Sequence, residues 1–454
     1  MTNGNTDAYF LVVGMGLVGN TIARFFKKCG KKVIVTDSDP ARTREAEQLA
    51  ALGIQTSLGP HDPALFENAA MIVTSPGVPL DLPVLEAARS KGVRITGELD
   101  VIEGYISEPV VAVTGTNGKT TVTTLISDML EASGKTVFTC GNIGTPVAEY
   151  LLSEQKADVI VAEISSFQLD TSDRFKPDVA VLLNISEDHL DRYARPDLYV
   201  QSKWSIFQNQ TETDTAVINA AIPGAPDRAQ AMKQQVVLYN NRPDTQTSGT
   251  SACFPSNSTR FGDKMPDLSR TSLKGVHNME NIEAAALSAM AAGADPSAVQ
   301  AAVDRFKPLR HRLEYAGSVQ GVDFYNDSKA TNPDAVRRAV ECFSDGVFLI
   351  MGGRAKDTDF SCLARTIRKK TEQLILIGEA AGTIARQFQS EGEIRFAESM
   401  AEAVAIGFES AKPGQTVLLS PGCASFDMYS GYAERGDDFT NEVRRHKERE
   451  NESV

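Results

Sequence analysis

Short runs of β-branched and aliphatic residues recur along the whole chain, each closed by glycine, proline or small polar residues and followed by apolar positions at helical spacing. That alternation of strand and helix periods predicts an α/β protein built on parallel sheets. The first run, over 8–13, leads into Gly14, Met15, Gly16, Leu17, Val18 and Gly19, then a helix to about Cys29 and a strand over 32–36 that ends at Asp37 and Ser38. Another strand, over 71–74, stops at Ser75, Pro76 and Gly77, whose types enforce a turn on the same edge of the sheet. A second unit carries strands over 110–113, 136–139, 159–162 and 179–183, ending respectively in a glycine turn, in Gly141 to Gly144, in Glu163 to Ser166 and in Asn184 to His189. The pattern fades over 221–274, most plainly over 244–259, which reads as surface hairpins and loop. A helix over 277–293 follows. Strands over 347–351, 374–377 and 416–419 mark a third unit, and the charged tail after Asp438 reads as an exposed helix. The division is 1–98, 99–303 and 304–454.

In parallel sheets the carboxyl ends of the strands gather where ligands bind, so the polar residues at those ends carry the candidate chemistry. Gly14 to Gly19 with Asp37 form a dinucleotide fingerprint, which admits NAD, FAD or a sugar nucleotide. The segment Thr114, Gly115, Thr116, Asn117, Gly118, Lys119, Thr120, Thr121 puts a glycine turn, a lysine and hydroxyls between a strand and a helix. There the backbone N–H groups and the new helix N-terminus suit phosphate oxygens, Lys119 reaches the β- and γ-phosphates, and Thr120 offers a hydroxyl to Mg²⁺. The match to the general phosphate-loop pattern is incomplete, because Val113 stands where its first glycine belongs. Glu163, at a strand end, adds a carboxylate of the kind that hard cations prefer.

Length and charge narrow the classes. A chain of 454 residues exceeds one ordinary core. With 59 acidic against 46 basic residues, a net charge of −13, it repels nucleic acid and anionic membranes as a whole. The six cysteines lack CxxC spacing, which argues against a disulfide framework or zinc cluster and for free thiols. No signal peptide or membrane-spanning run is recognisable, so the cytoplasm is the expected compartment.

The phosphate-loop segment, the stretch 184–192 and the run Asn326, Asp327, Ser328, Lys329, Ala330, Thr331, Asn332 together resemble the Mur ligases, in order and across all three units. The resemblance implies a Rossmann-like domain for a UDP-sugar, a central ATPase domain and a C-terminal Rossmann-like domain that brings an amino acid. It implies ATP-driven amide formation through an acyl phosphate, with two Mg²⁺ ions, UDP-N-acetylmuramoyl-L-alanine as carboxylate substrate and D-glutamate as acceptor; a monomer is the expected state. No Asp-Asn-Pro-Arg segment of the diaminopimelate- or lysine-adding relatives is present. By resemblance Gly14, Met15, Gly16, Leu17, Val18, Gly19, Asp37, Ser38, Gly77, Asn142 and Ser165 hold the UDP-sugar. Gly115 to Thr121, Asn281, His311, Arg312 and Asp327 hold ATP. Lys119, Glu163, His189 and Lys203 are the catalytic set, with Thr120, Glu163, His189 and a carbamylated Lys203 around the metal. Lys329, Thr331, Lys356, Ser425 and Phe426 receive D-glutamate, and Tyr432 stands where the family presents phenylalanine. Two other readings compete: another ligase of this superfamily, such as a folylpolyglutamate synthase, and an NAD-dependent oxidoreductase using Gly14 to Gly19. The second leaves Lys119 and Glu163 without a task.

Overall fold

Each of the three regions folds around its own sheet because the aliphatic runs pair with one another and shed their polar ends to one edge. The computed structural model describes residues 8–188, 192–240, 265–344, 346–355, 358–388 and 392–452. The first sheet comprises β1 (Phe10–Val13), β2 (Val33–Asp37), β3 (Gln55–Leu58), β4 (Met71–Thr74) and β5 (Arg94–Thr96), all parallel, in the order β3-β2-β1-β4-β5. The second contains β6 (Val110–Thr114), β7 (Val137–Gly141), β8 (Val159–Glu163), β9 (Val179–Leu182), β10 (Thr215–Asn219) and β11 (Gln235–Tyr239), again all parallel, in the order β11-β10-β9-β6-β8-β7. The third holds β12 (Glu314–Val319), β13 (Val322–Asn326), β14 (Val347–Gly352), β15 (Thr371–Ile377), β16 (Glu393–Ala397) and β17 (Thr416–Gly422), ordered β12-β13-β17-β14-β15-β16. Only its edge hairpin, β12 with β13, is antiparallel.

The described chain gathers into two compact units. Of the described residues, one takes those within 1–184, 197–266 and 282–302, and so both the first and second sheets; the other takes those within 185–196, 267–281 and 303–454. The third sheet shows why parallel strands need cover on both faces. Along β14, Leu349 and Met351 enter one buried cluster with Val336, Phe360 and Phe388, while Phe348 and Ile350 enter a second with Phe324, Met400 and Phe439. The period of two along the strand feeds both layers of helices.

Two expectations need correction. Residues 221–274 are not all hairpin and loop, since helix Ala225–Gln230 and the parallel strand β11 lie there, with Val236 to Tyr239 aligned on Ala216 to Asn219; residues 241–264 fall outside the described ones. The C-terminal helix Tyr432–Glu452 is not merely exposed, because Phe439 and Val443, four positions apart, are buried in the second cluster. Its polar composition hid a narrow apolar stripe.

Glycine placement fixes the first turn. A Cβ on Gly19 would lie 1.9 Å from the Gly14 carbonyl oxygen, whereas one on Gly16, at φ −65°, would meet nothing within 4 Å. Gly19→Ala is therefore expected to cost about 2 kcal/mol or more in unfolding free energy, and Gly16→Ala less than about 1 kcal/mol. Equal denaturation midpoints for both variants would contradict this packing.

Candidate active site

The first sheet brings its two turns together. Gly14, at φ +96°, donates its N–H to the Thr36 carbonyl at 2.8 Å, and its carbonyl accepts from the Ser75 hydroxyl at 3.2 Å. The loops after β1, β2 and β4 thus meet at the carboxyl edge. Asp37 has both oxygens engaged locally: Oδ2 accepts from the Met15 N–H at 2.7 Å and Oδ1 from the Asp39 N–H at 2.9 Å. It braces the glycine turn. His61, which the sequence reading passed over, joins this edge through a 3.1 Å hydrogen bond between Nδ1 and the Thr36 hydroxyl, and burial lowers its pKa. Leu17, Ser38 and Gly77 are exposed on the rim, Val18 is partly buried, and Met15 is buried beneath it.

The lysine loop is assembled more tightly. Gly115 sits at φ +152°, with the place of a Cβ only 2.9 Å from Leu183 Cβ, and Gly118 at φ +88° starts helix Lys119–Ala132. A side chain at either glycine would be strained. Asn184, at the end of the neighbouring strand β9, holds the loop through three bonds. Its carbonyl accepts from Thr116 N–H at 3.0 Å, its Oδ1 from Asn117 N–H at 2.8 Å, and its Nδ2 donates to the Asn117 carbonyl at 2.9 Å. The Thr116 hydroxyl lies 3.1 Å from the Tyr199 hydroxyl. Lys119 Nζ donates to the carbonyls of Gly115 and Thr116 at 2.9 and 2.8 Å. Lys203, only 1% exposed, donates to the same Gly115 carbonyl at 2.9 Å and lies over the Tyr199 ring at 4.5 Å. Asn184, one of the polar strand-end residues, and Tyr199, which nothing in the sequence marked, belong to this cradle.

One strand over, Glu163 is buried at the end of β8, level with Val113 of β6 and Gly141 of β7. Its Oε1 accepts from Asn142 Nδ2 at 2.8 Å, while its Oε2 is buried with no hydrogen-bond partner. A buried, unbonded carboxylate oxygen is costly unless a cation or donor arrives. Thr120, in the first turn of the adjacent helix, and Glu163 each carry an oxygen of the kind that hard divalent cations take. Ser165 caps helix Ser166–Leu169 in a reciprocal capping box with Gln168. His189 lies outside the described residues, as does Lys356.

In the other unit, residues after β13 and before β12 converge. His311, at φ +62° and 5% exposed, has its Nδ1 3.1 Å from Asn326 Nδ2, and burial lowers its pKa. Its carbonyl accepts the Lys329 N–H at 3.1 Å. Asp327 receives the Leu313 N–H and the Ser420 hydroxyl at 3.1 and 3.0 Å, and burial pushes its carboxyl up to about 7, against the pull of Arg312. Lys329 Nζ stands 3.7 Å over the Tyr432 ring, so tyrosine serves that edge through its π-face. Asn281 and Asn278 share one helix face, 3.2 Å apart.

Thr331 lines a cavity of about 370 Å³ with Asp188, Asn332, Arg354 and Ala424. Next to Ala424, Ser425 is buried and Phe426 is 63% exposed. Arg435, missed in the sequence, is 2% exposed and pins three strand ends: it donates to the Ser328 and Cys423 carbonyls at 2.8 and 3.1 Å and to the Gly352 carbonyl at 3.5 Å. Burial draws its pKa down to about 10, which leaves it a cation.

Comparison with known proteins agrees with this layout. The family model for the Mur ligase MurD-like N-terminal domain matches residues 8–97, that for the Mur ligase middle domain 113–289, and that for the Mur ligase glutamate ligase domain 311–423. A UDP-N-acetylmuramoylalanine–D-glutamate ligase of Desulfosudis oleivorans is 46% identical over 442 residues, 96% of each chain. One of the same name from Geotalea daltonii is 41% identical over 446 residues, also 96% of each. Among solved structures, the MurF ligase of Thermotoga maritima in complex with ADP has a TM-score of 0.60 at 16% identity, covering 92% of this chain and 95% of that one. With three successive domain models matched and such identity along nearly its whole length, the chain belongs to the Mur ligase family.

Proposed function

We propose that the chain is an ATP-dependent ligase that joins the alanyl carboxylate of UDP-N-acetylmuramoyl-L-alanine to the amine of D-glutamate, a cytoplasmic step in making peptidoglycan precursors. The two relatives reported above carry the name of that activity. In this reading residues 1–98 hold the sugar nucleotide, 99–303 the ATP and 304–454 the amino acid. The observation that carries it is the pair of lysines, Lys119 and Lys203, meeting at the Gly115 carbonyl one strand from the buried Glu163 carboxylate.

The chemistry explains why such a cradle is needed. A carboxylate oxygen attacking the γ-phosphorus brings anion to anion, so the barrier falls mainly through positioned positive charge. Lys119 would leave its two backbone carbonyls for the phosphate oxygens, with the helix N-terminus behind it lending further positive potential. The γ-phosphoryl group passes to the carboxylate as the bond to ADP breaks. The neutral amine of D-glutamate then adds to the acyl carbon, and as the amide forms phosphate leaves with the electron pair of the broken C–O bond while the nitrogen gives up one proton to phosphate or water. Lys329, Thr331, Lys356, Ser425 and Phe426 would receive the two carboxylates of that amino acid.

Mg²⁺ fits the donors present. Thr120 and Glu163 would hold one ion, His189 and a carbamylated Lys203 a second, and bound Mg²⁺ would supply charge to the phosphate oxygens. The burial of Lys203 against Tyr199 suits a lysine that takes up CO₂ as a neutral amine.

Three measurements test this reading. Folded Lys119→Ala should lose product formation by about 10²- to 10³-fold; turnover at the parental speed would overturn the assignment. In an ADP-release assay, stimulation should require both D-glutamate and UDP-N-acetylmuramoyl-L-alanine, and a response only to L-glutamate with a folate would replace this substrate pair. Lys203→Ala should be nearly inactive and partly restored by small carboxylates; no recovery with any of them counts against the carbamate.

A further inference from the structure

Glu98 is a buried carboxylate that the reaction above does not use. It follows β5 and Gly97, and Gly97 packs so closely on Thr171 that a Cβ there would lie 2.0 Å from the threonine hydroxyl. This delivers Glu98, 2% exposed, from the end of the first sheet to the loops of the second, within one compact unit. Its Oε1 accepts from the Ala148 N–H at 2.9 Å and its Oε2 from Gln168 Nε2 at 3.3 Å. Burial raises its pKa to about 6, which leaves it mainly ionised at neutral pH.

An ionised carboxylate only accepts, so it dictates which way the Gln168 amide faces. With Nε2 turned to Glu98, Gln168 presents Oε1 to Ser165 and accepts both its N–H and its hydroxyl proton at 2.9 Å. The Ser165 oxygen in turn accepts the Gln168 N–H at 3.3 Å. Gln168 is buried, whereas Ser165 is partly exposed two residues beyond Glu163 at the ligand edge. The serine proton is thereby committed inward, and one lone pair is left for a ligand.

We propose that Glu98 is a positioning residue: through Gln168 it fixes Ser165 as a hydrogen-bond acceptor, so that the sugar-nucleotide substrate must present a donor there, an amide N–H or a hydroxyl, rather than a carboxylate or phosphate oxygen. This rests on the substrate assignment made above. In Glu98→Gln the new amide group has protons to place. Gln168 can relieve the clash with that amide only by flipping, which sets its Nε2 against the Ser165 N–H, breaks the capping box and releases the serine proton outward. The double exchange Glu98→Gln with Gln168→Glu restores the polarity, since the amide introduced at position 98 donates to the carboxylate introduced at position 168, which accepts from Ser165 as before.

Steady-state kinetics on the full-length enzyme, with UDP-N-acetylmuramoyl-L-alanine, D-glutamate and ATP varied in turn, test the relay. Glu98→Gln should raise KM for the sugar nucleotide about tenfold, with kcat and the other two KM values within about twofold, and the double exchange should return KM to within about threefold of the parental value. An unchanged KM in a folded Glu98→Gln, a parallel rise in all three KM values, or a folded double exchange without recovery would overturn the proposal. If Glu98→Gln alone does not fold, the double exchange decides: near-parental KM supports the relay and a tenfold rise rejects it. An inactive parental enzyme would instead sink the reaction assignment, whereas an active one with unmoved KM sinks only the relay.

Discussion

Two lysines donate to one carbonyl oxygen, that of Gly115. Their ammonium groups can be no farther apart than the two hydrogen bonds placed end to end, and like charges at that separation repel. The arrangement holds because the glycine turn presents its carbonyl towards both, because Asn184 clamps the turn from the adjacent strand, and because Tyr199 offers Lys203 a ring face. Each of those supports comes from a different part of the chain. A polyanion entering the loop would relieve the repulsion, and so would loss of charge at one lysine. Loop geometry, the buried Glu163 oxygen and the glycine contacts that seat it all serve one electrostatic need.

The same economy governs the third sheet. Backbone carbonyls at the end of β14 and just after β13 and β17 converge within reach of one buried side chain. Left alone, their negative ends would repel one another. Arg435 gathers them onto one guanidinium, and its charge survives burial. Asp327 shows the converse, a carboxyl pushed upward by its surroundings until it titrates near neutrality. Charge at this edge is set by burial as much as by the residue types present.

Much of the frame was legible because parallel strands leave plain marks: the runs at 110–113 and 179–183 and the glycine turns at 14–19 and 115–118 fall where the structure has strand ends and loops. The third unit was only partly visible. Its hairpin, β12 and β13, alternates weakly, and β11 sits in a polar stretch where only Val236, Val237 and Leu238 hint at a strand. Side-chain partnerships over long sequence separations were beyond reach. Nothing local in the sequence ties Asn184 to Asn117, Arg435 to Ser328, or Glu98 to Gln168, since each bond exists only once two distant segments are neighbours. Asp37 illustrates a residue located correctly whose carboxylate turns out to brace its own turn through Met15 and Asp39.

The order of strands in the third sheet has a consequence for biosynthesis. Its centre is β17, hydrogen-bonded to β13 on one side and β14 on the other, yet β17 is the last of the described strands, and helix Tyr432–Glu452, which packs on β12 and β13, comes later still. A nascent chain leaving the ribosome has every other strand of this sheet available before the one that joins its halves. Until residue 422 has emerged, β13 and β14 each carry an open edge, the kind of surface that invites pairing with a neighbouring chain. Closure must wait for a contact spanning roughly a hundred residues, which favours slow assembly. The first two sheets, complete by Tyr239, can form while that half is still being translated.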